Sequence, residues 1–191
     1  MSSYNFLIIK DVKYNGVSID TYIKSQQIYM SSTYSLIKGE DQPIQSNTST
    51  ILSGFAPPVL PYHDNTSSIT NSITWDLTTG IYTADADQTI SLDLDLCWKG
   101  GISNMGDRKL SVIYQKSNSD PIVIKESDTQ AEPNVNIDTT QEISTCLSLK
   151  AGDKIWIEVY HDAFDYDNKQ PSILLISGSD KTSICGMRFL R

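Results

Sequence analysis

Between residues 89 and 98 apolar and polar side chains alternate without a break. Ile90, Leu92, Leu94, Leu96 and Trp98 fall on one face, and Ser91, Asp93, Asp95 and Cys97 on the other. A period of two is that of a β-strand with one buried face. Shorter stretches of the same kind predict strands at 72–77, 80–84, 109–115, 121–125, 142–149, 154–161, 172–177 and 183–190. Turn chemistry separates them: Lys99-Gly100-Gly101, Asn104-Met105-Gly106-Asp107, Ser117-Asn118-Ser119-Asp120-Pro121, Ala151-Gly152-Asp153 and Asp165-Tyr166-Asp167-Asn168. About nine strands at this spacing, with no helical period after Leu60, predict an all-β antiparallel sandwich of jelly-roll type.

The first third reads differently. Apolar-rich segments at 6–14 and 17–23 flank Asn15-Gly16, a pair suited to the positive-φ positions of a tight hairpin turn. Ile19, Tyr22, Ile23 and Gln26 also fit helical spacing, so a short helix toward Tyr29 is the alternative. From Ser31 to Ser53 the chain is rich in Ser, Thr, Asn and Gln, which predicts a linker or extended strap. Pro57, Pro58 and Pro61 then mark a boundary, because proline lacks the backbone donor a sheet interior needs. Two parts are expected: a hairpin and strap over 1–54 for attachment or assembly, and a jelly-roll head over 55–191.

Composition narrows the partners. The 191 residues are 39% hydrophobic and 20% charged, a globular balance, and the formal charge is −8. A phosphate backbone or anionic membrane repels such a chain on average, and its basic residues are scattered, so neither nucleic-acid binding nor membrane insertion is expected. The N-terminus has no basic region before its short apolar run, Phe6 to Ile9, so neither a signal peptide nor a membrane span is read there. Cys97, Cys146 and Cys185 are widely spaced and read as free, largely buried thiols of a protein made in the cytoplasm, with one disulfide plus a spare thiol as the alternative. Lysine outnumbers arginine twelve to three, a bias of AT-rich coding.

From Ile73 onward the order of features resembles the C1q/TNF-like jelly-roll family. The residues that carry the resemblance are Trp75-Asp76 and Gly80-Ile81-Tyr82-Thr83 leading into the 89–98 strand. They continue with Leu147-Ser148-Leu149-Lys150-Ala151-Gly152-Asp153-Lys154-Ile155 and a closing Ser183-Ile184-Cys185-Gly186-Met187-Arg188-Phe189-Leu190. Ala84-Asp85-Ala86-Asp87 replaces the family's usual residues after Tyr82, and Ile184 or Cys185 stands where phenylalanine is common. The resemblance implies a homotrimer of jelly rolls that recognises a protein or glycan at a surface without catalysis. The segment 9–23 also looks like the start of virus and phage fibre proteins. Together these give an expected virion fibre head or spike, displayed on the virion and attaching to a host-surface glycan or protein. The competing expectation is a minor capsid or cement protein bound to other virion proteins; a hydrolase on the same sandwich would need a clustered acid and base.

Candidate chemistry is sparse. His63 and His161 share no signature with a nucleophile or metal motif, so no catalytic residue, metal or cofactor is expected. Asp162, Asp165 and Asp167 offer oxygen to calcium but lack the glycine and glutamate of an EF-hand loop, so solvated carboxylates are the plainer reading. Asp165, Tyr166, Asp167 and Asn168, with Asn104 of a second loop, have the hydrogen-bonding and aromatic mix of ligand contacts. Trp156 and Tyr160 lie opposite Ile155, Ile157 and Val159 on their strand. They are expected, with Tyr82 and Tyr114, at a trimer interface, or alternatively under the strap. Asp85, Asp87, Asp93 and Asp95 are expected to form an acidic outer face, guarding against aggregation or docking a basic partner.

Overall fold

The computed structural model describes residues 13–14, 17–18, 31–56, 75–99, 106–130, 137–164, 170–178 and 181–190. Strands β1 (Lys13–Tyr14) and β2 (Val17–Ser18) pair antiparallel across Asn15-Gly16, the expected hairpin. The helical alternative at 19–29 and the proline boundary at 57–61 lie outside the described residues.

Two antiparallel sheets make the sandwich. In the first, β9 (Gln88–Trp98) is central. On one side it pairs with β12 (Thr139–Leu149) along its whole length. On the other it meets β15 (Ser183–Leu190) and then β14 (Ile173–Ile176), which lie end to end along it. Beyond them are β3 (Ser31–Lys38) and β4 (Gln42–Gln45), with β6 (Phe55–Ala56) on β3. The second sheet runs β11 (Ile122–Gln130), β10 (Asp107–Gln115), β13 (Lys154–His161), β8 (Ile81–Thr83), β7 (Trp75–Asp76), with β5 (Thr50–Ile51) also on β13.

Alternation decides what lies between the sheets. Ile90, Leu92, Leu94 and Leu96 of the first sheet and Leu110, Val112, Ile155, Ile157 and Val159 of the second are buried, while Asp93 and Asp95 point outward. Each such aliphatic side chain contributes about 1.5–3 kcal/mol on leaving water.

Three expectations are corrected. The polar strap at 31–53 is strand-paired into both sheets, so a division at residue 54 cuts through the sandwich. Its apolar residues Tyr34, Leu36, Ile44 and Leu52 are buried, and some of its polar groups bond inward: the Tyr34 hydroxyl donates to Ser91 O (2.7 Å) and the Gln42 amide to Ile51 O (2.8 Å). Strand β11 runs on to Gln130, past the expected end at Lys125. As an edge strand it is polar on both faces there, so no alternation announces it. Cysteines 146 and 185 are exposed, because they occupy the solvent faces of β12 and β15; Cys97 alone is buried, and all three are free.

Candidate functional site

Register assembles the site. On the outward face of the second sheet, Lys109 pairs with Asp128 on one side and Tyr160 on the other. One row further, Asp107 pairs with Gln130 and lies beside Asp162, whose Oδ1 accepts the Asp107 amide hydrogen bond at 2.6 Å. Together with Thr129 these residues line a groove of about 440 Å³. The Tyr160 hydroxyl donates to Asn47 Oδ1 at 3.1 Å, which fixes the phenol against the 46–48 turn. Lys109 Nζ lies 2.9 Å from Glu126 and 3.9 Å from Asp128, and its hydrogen bond to Glu126 holds its pKa above the ordinary lysine value.

Gly106 sets the root of the groove. At φ +117° it adopts a conformation that side chains disfavour, and a Cβ there would stand 2.5 Å from Asp162 Oδ1 and 2.9 Å from Ala163. In sequence, Gly106 directly follows the 100–105 segment, and Asp162 stands three positions before the 165–169 segment. The expected ligand residues Asn104, Asp165, Tyr166, Asp167 and Asn168 lie in those segments, outside the described residues, as does His63.

Behind the groove the core is polar. His161 is fully buried: Nε2–H donates to Ile44 O (2.8 Å) and Nδ1 accepts from the Ala163 amide (3.1 Å), which makes it the neutral tautomer. Burial pushes its pKa below the usual histidine value. The Trp98 ring meets the imidazole edge-on at 5.9 Å, and the Arg108 guanidinium lies 5.7 Å over the indole. Trp98 Nε1 donates to Gln141 Oε1 (2.7 Å), and the Gln141 amide donates to Arg108 O and Ser127 O, stitching one sheet to the other. Arg108 and Gln141 escaped sequence reading because polar residues at inward positions look like ordinary breaks in an alternating pattern. His161 is held as a structural group, with no nucleophile or carboxylate among its hydrogen-bond partners. Among the described residues no group of three or more His, Cys, Asp or Glu is arranged to hold a metal ion.

The other expected site residues scatter. Tyr82 is fully buried between the sheets, its ring tilted 37° to that of Trp75 at a 5.8 Å centroid separation, and Tyr114 faces inward with its hydroxyl on Asp153 Oδ2 (2.8 Å). Both sit at inward positions of their strands. Trp156 lies on the outward face but is 8% exposed, its indole N–H donating to Glu158 Oε1 at 2.7 Å. It belongs to an apolar row across the second sheet, Val123, Ile113, Trp156 and Ile81, of which Val123 is 56% exposed. The acidic face also divides. Asp93 and Asp95 are exposed on the first sheet. Asp85 is bound by Arg188, and Asp87 accepts from Lys150 Nζ (2.6 Å) and the Ala151 amide (3.2 Å). The latter two are structural because they sit in the turn before β9, against the 150–153 hairpin.

That hairpin explains the Ala-Gly-Asp signature. Asp153, 1% exposed, accepts from the Lys150 amide (2.9 Å), the Ser117 amide (3.0 Å) and the Tyr114 hydroxyl. Burial alone would raise its pKa, but these hydrogen bonds outweigh it and hold the carboxyl below the usual value.

No protein-family model matches the sequence, and neither does any curated protein sequence. Solved structures do match. Eiger TNF from S. frugiperda superposes with a TM-score of 0.58 at 9% identity over 85% of this chain and 93% of that one. Murine APRIL at pH 5.0 gives 0.56 at 11% identity over 84% of this chain and 100% of that one. The globular domain of zebrafish complement 1qA aligns at 0.48 and 13% identity, covering 82% and 94%. Strand order, inward alternation and the first two superpositions agree that the chain has the antiparallel jelly-roll fold of TNF-like domains.

Proposed function

We propose that this chain is a non-enzymatic recognition head that works as a homotrimer and attaches to a glycan or protein on a host surface, as the tip of a virion fibre or spike. The observation that carries the reading is the groove at the end of the second sheet: an open concavity of about 440 Å³ lined by hydrogen-bonding side chains and a tyrosine. Such a surface suits binding, and among the described residues the chemistry around it offers no nucleophile paired with a base. Threefold repetition would multiply a weak contact into useful avidity. The apolar row that ends in exposed Val123 supplies a surface for subunit contact, with Trp156 at its centre. The fibre assignment draws its support from the N-terminal Asn-Gly hairpin placed ahead of the sandwich.

Light scattering behind size exclusion, followed by binding of labelled protein to candidate host cells, tests this. A trimer that binds cells supports the proposal, and Val123→Asp should then shift the mass toward monomer. A monomer that binds nothing overturns it. Stable capture by a coat protein without cell binding would favour the structural capsid or cement role instead.

A further inference from the structure

The geometry points to a saccharide-binding groove that selects uncharged or amino sugars and rejects acidic ones. This rests on the recognition reading above and deepens it by naming the ligand class.

Charge sets the first condition. The groove presents the carboxylates of Asp107, Asp128 and Asp162 against one cation, Lys109, which already meets Glu126 at 2.9 Å and Asp128 at 3.9 Å. Its lining is therefore net negative, on a chain whose formal charge is −8. Sialylated, sulfated or phosphorylated ligands would be repelled, whereas hydroxyl and ammonium donors would find acceptors.

Hydrogen-bonding capacity sets the second. Asp162 spends one oxygen on the Asp107 amide, and its other oxygen accepts no hydrogen bond among the described residues. The Asp107 carboxylate accepts no hydrogen bond among the described residues, and Gln130 beside it carries both donors and acceptors. An array of carboxylates and the Gln130 amide suits a ligand rich in hydroxyl groups and suits an apolar one poorly.

Rigidity sets the third. Tyr160 is tied by its hydroxyl to Asn47, so its ring is held in place as a wall on which the C–H face of a sugar ring can lie at little entropic cost. The carboxylates stand on paired strands or, for Asp162, one residue beyond a strand end, so the site is largely preformed.

Two-dimensional amide NMR of the full chain tests the inference, with methyl mannoside, methyl galactoside, N-acetylglucosamine and glucosamine as probes against sialyllactose and galactose sulfate. At least one neutral or amino sugar should shift the amides of 107–109, 128–130 and 160–162, while the acidic ones leave them unmoved. Asp107→Asn and Asp128→Asn should each weaken that binding by about tenfold, the effect of losing one charge-assisted hydrogen bond. Absence of any sugar-induced shift at millimolar concentration, preference for the acidic probes, or sugar affinity unchanged in both variants would overturn the groove assignment. Cell binding separates the two proposals: if the variants still attach to cells, attachment stands and the saccharide groove falls. If sugars bind the groove but cells do not bind the protein, the groove stands and attachment falls.

Discussion

Strand β13 has an aspartate at each end, Asp153 before it and Asp162 after it. Both accept a hydrogen bond from a backbone amide, yet they serve different ends of the sandwich. Asp153 is buried and spends its oxygens on two turn amides and the Tyr114 hydroxyl of β10, so that end is closed: hairpin, β10 exit and the Asp85–Arg188 and Asp87–Lys150 pairs brace one another. Asp162 holds one amide and turns toward an open groove in which Asp107 and Asp128 offer unused acceptor capacity. Tying down every lone pair stabilises a fold, and leaving some unused makes a surface that can bind. The contrast predicts that substitutions at the closed end change stability, and those at the open end change recognition.

Asp153→Ala should break the comparison hardest. It removes three hydrogen bonds and leaves buried donors unpaired, at a cost of about 3 kcal/mol, or roughly 6–12 °C in Tm for a chain of this size. Thermal denaturation followed by circular dichroism would show it. Gly152→Ala, at a position with φ +88°, should cost about 1–2 kcal/mol through backbone strain alone, read as a smaller drop in the same melt.

Acid should separate the two ends by pH window. The unfolded chain takes a proton on His161 near pH 6.5, whereas the buried imidazole takes it only at lower pH. The stability this contributes is complete above about 6.5 and lost as pH falls below it. Asp153, with its folded pKa depressed, contributes stability that is complete above its unfolded value of about 3.8 and lost only below it. Urea denaturation from about pH 7.5 to 5 should therefore show a decline that His161→Gln flattens and Asp153→Ala does not. Asp107→Asn should have the smallest effect on stability, within about 0.5 kcal/mol, since its side chain is exposed. A large drop there would show that the groove end is braced like the closed one.

Much of the sandwich was legible because its central strands bury one face: the leucines of β9 and the aliphatic residues of β13 announce themselves by period. Strands β3 and β4 did not, because each contributes only one or two apolar anchors, and their Gln and Ser side chains resemble a linker until their partners across the sheet are known. The inward orientation of Tyr82 and Tyr114 was hidden for a related reason. A tyrosine in a short strand fits either face, and its burial depends on which sheet closes over it. Of the groove, Tyr160 and Asp162 stood out from sequence. Asp107, Lys109, Asp128 and Gln130 did not, because they come from two other strands.

The sequence by itself determined the local matters: strand period, the Asn-Gly hairpin, the need for glycine and aspartate in the 151–153 turn, and an acidic surface hostile to polyanions. These depend on neighbours along the chain, where backbone sterics and side-chain alternation act. Only the tertiary structure decided that Asp107, Asp128 and Asp162 share a groove, that Gln141 joins the sheets, and that the polar segment at 31–53 belongs to them. Those outcomes depend on which strands pair and in what register, and register brings residues dozens of positions apart into one row.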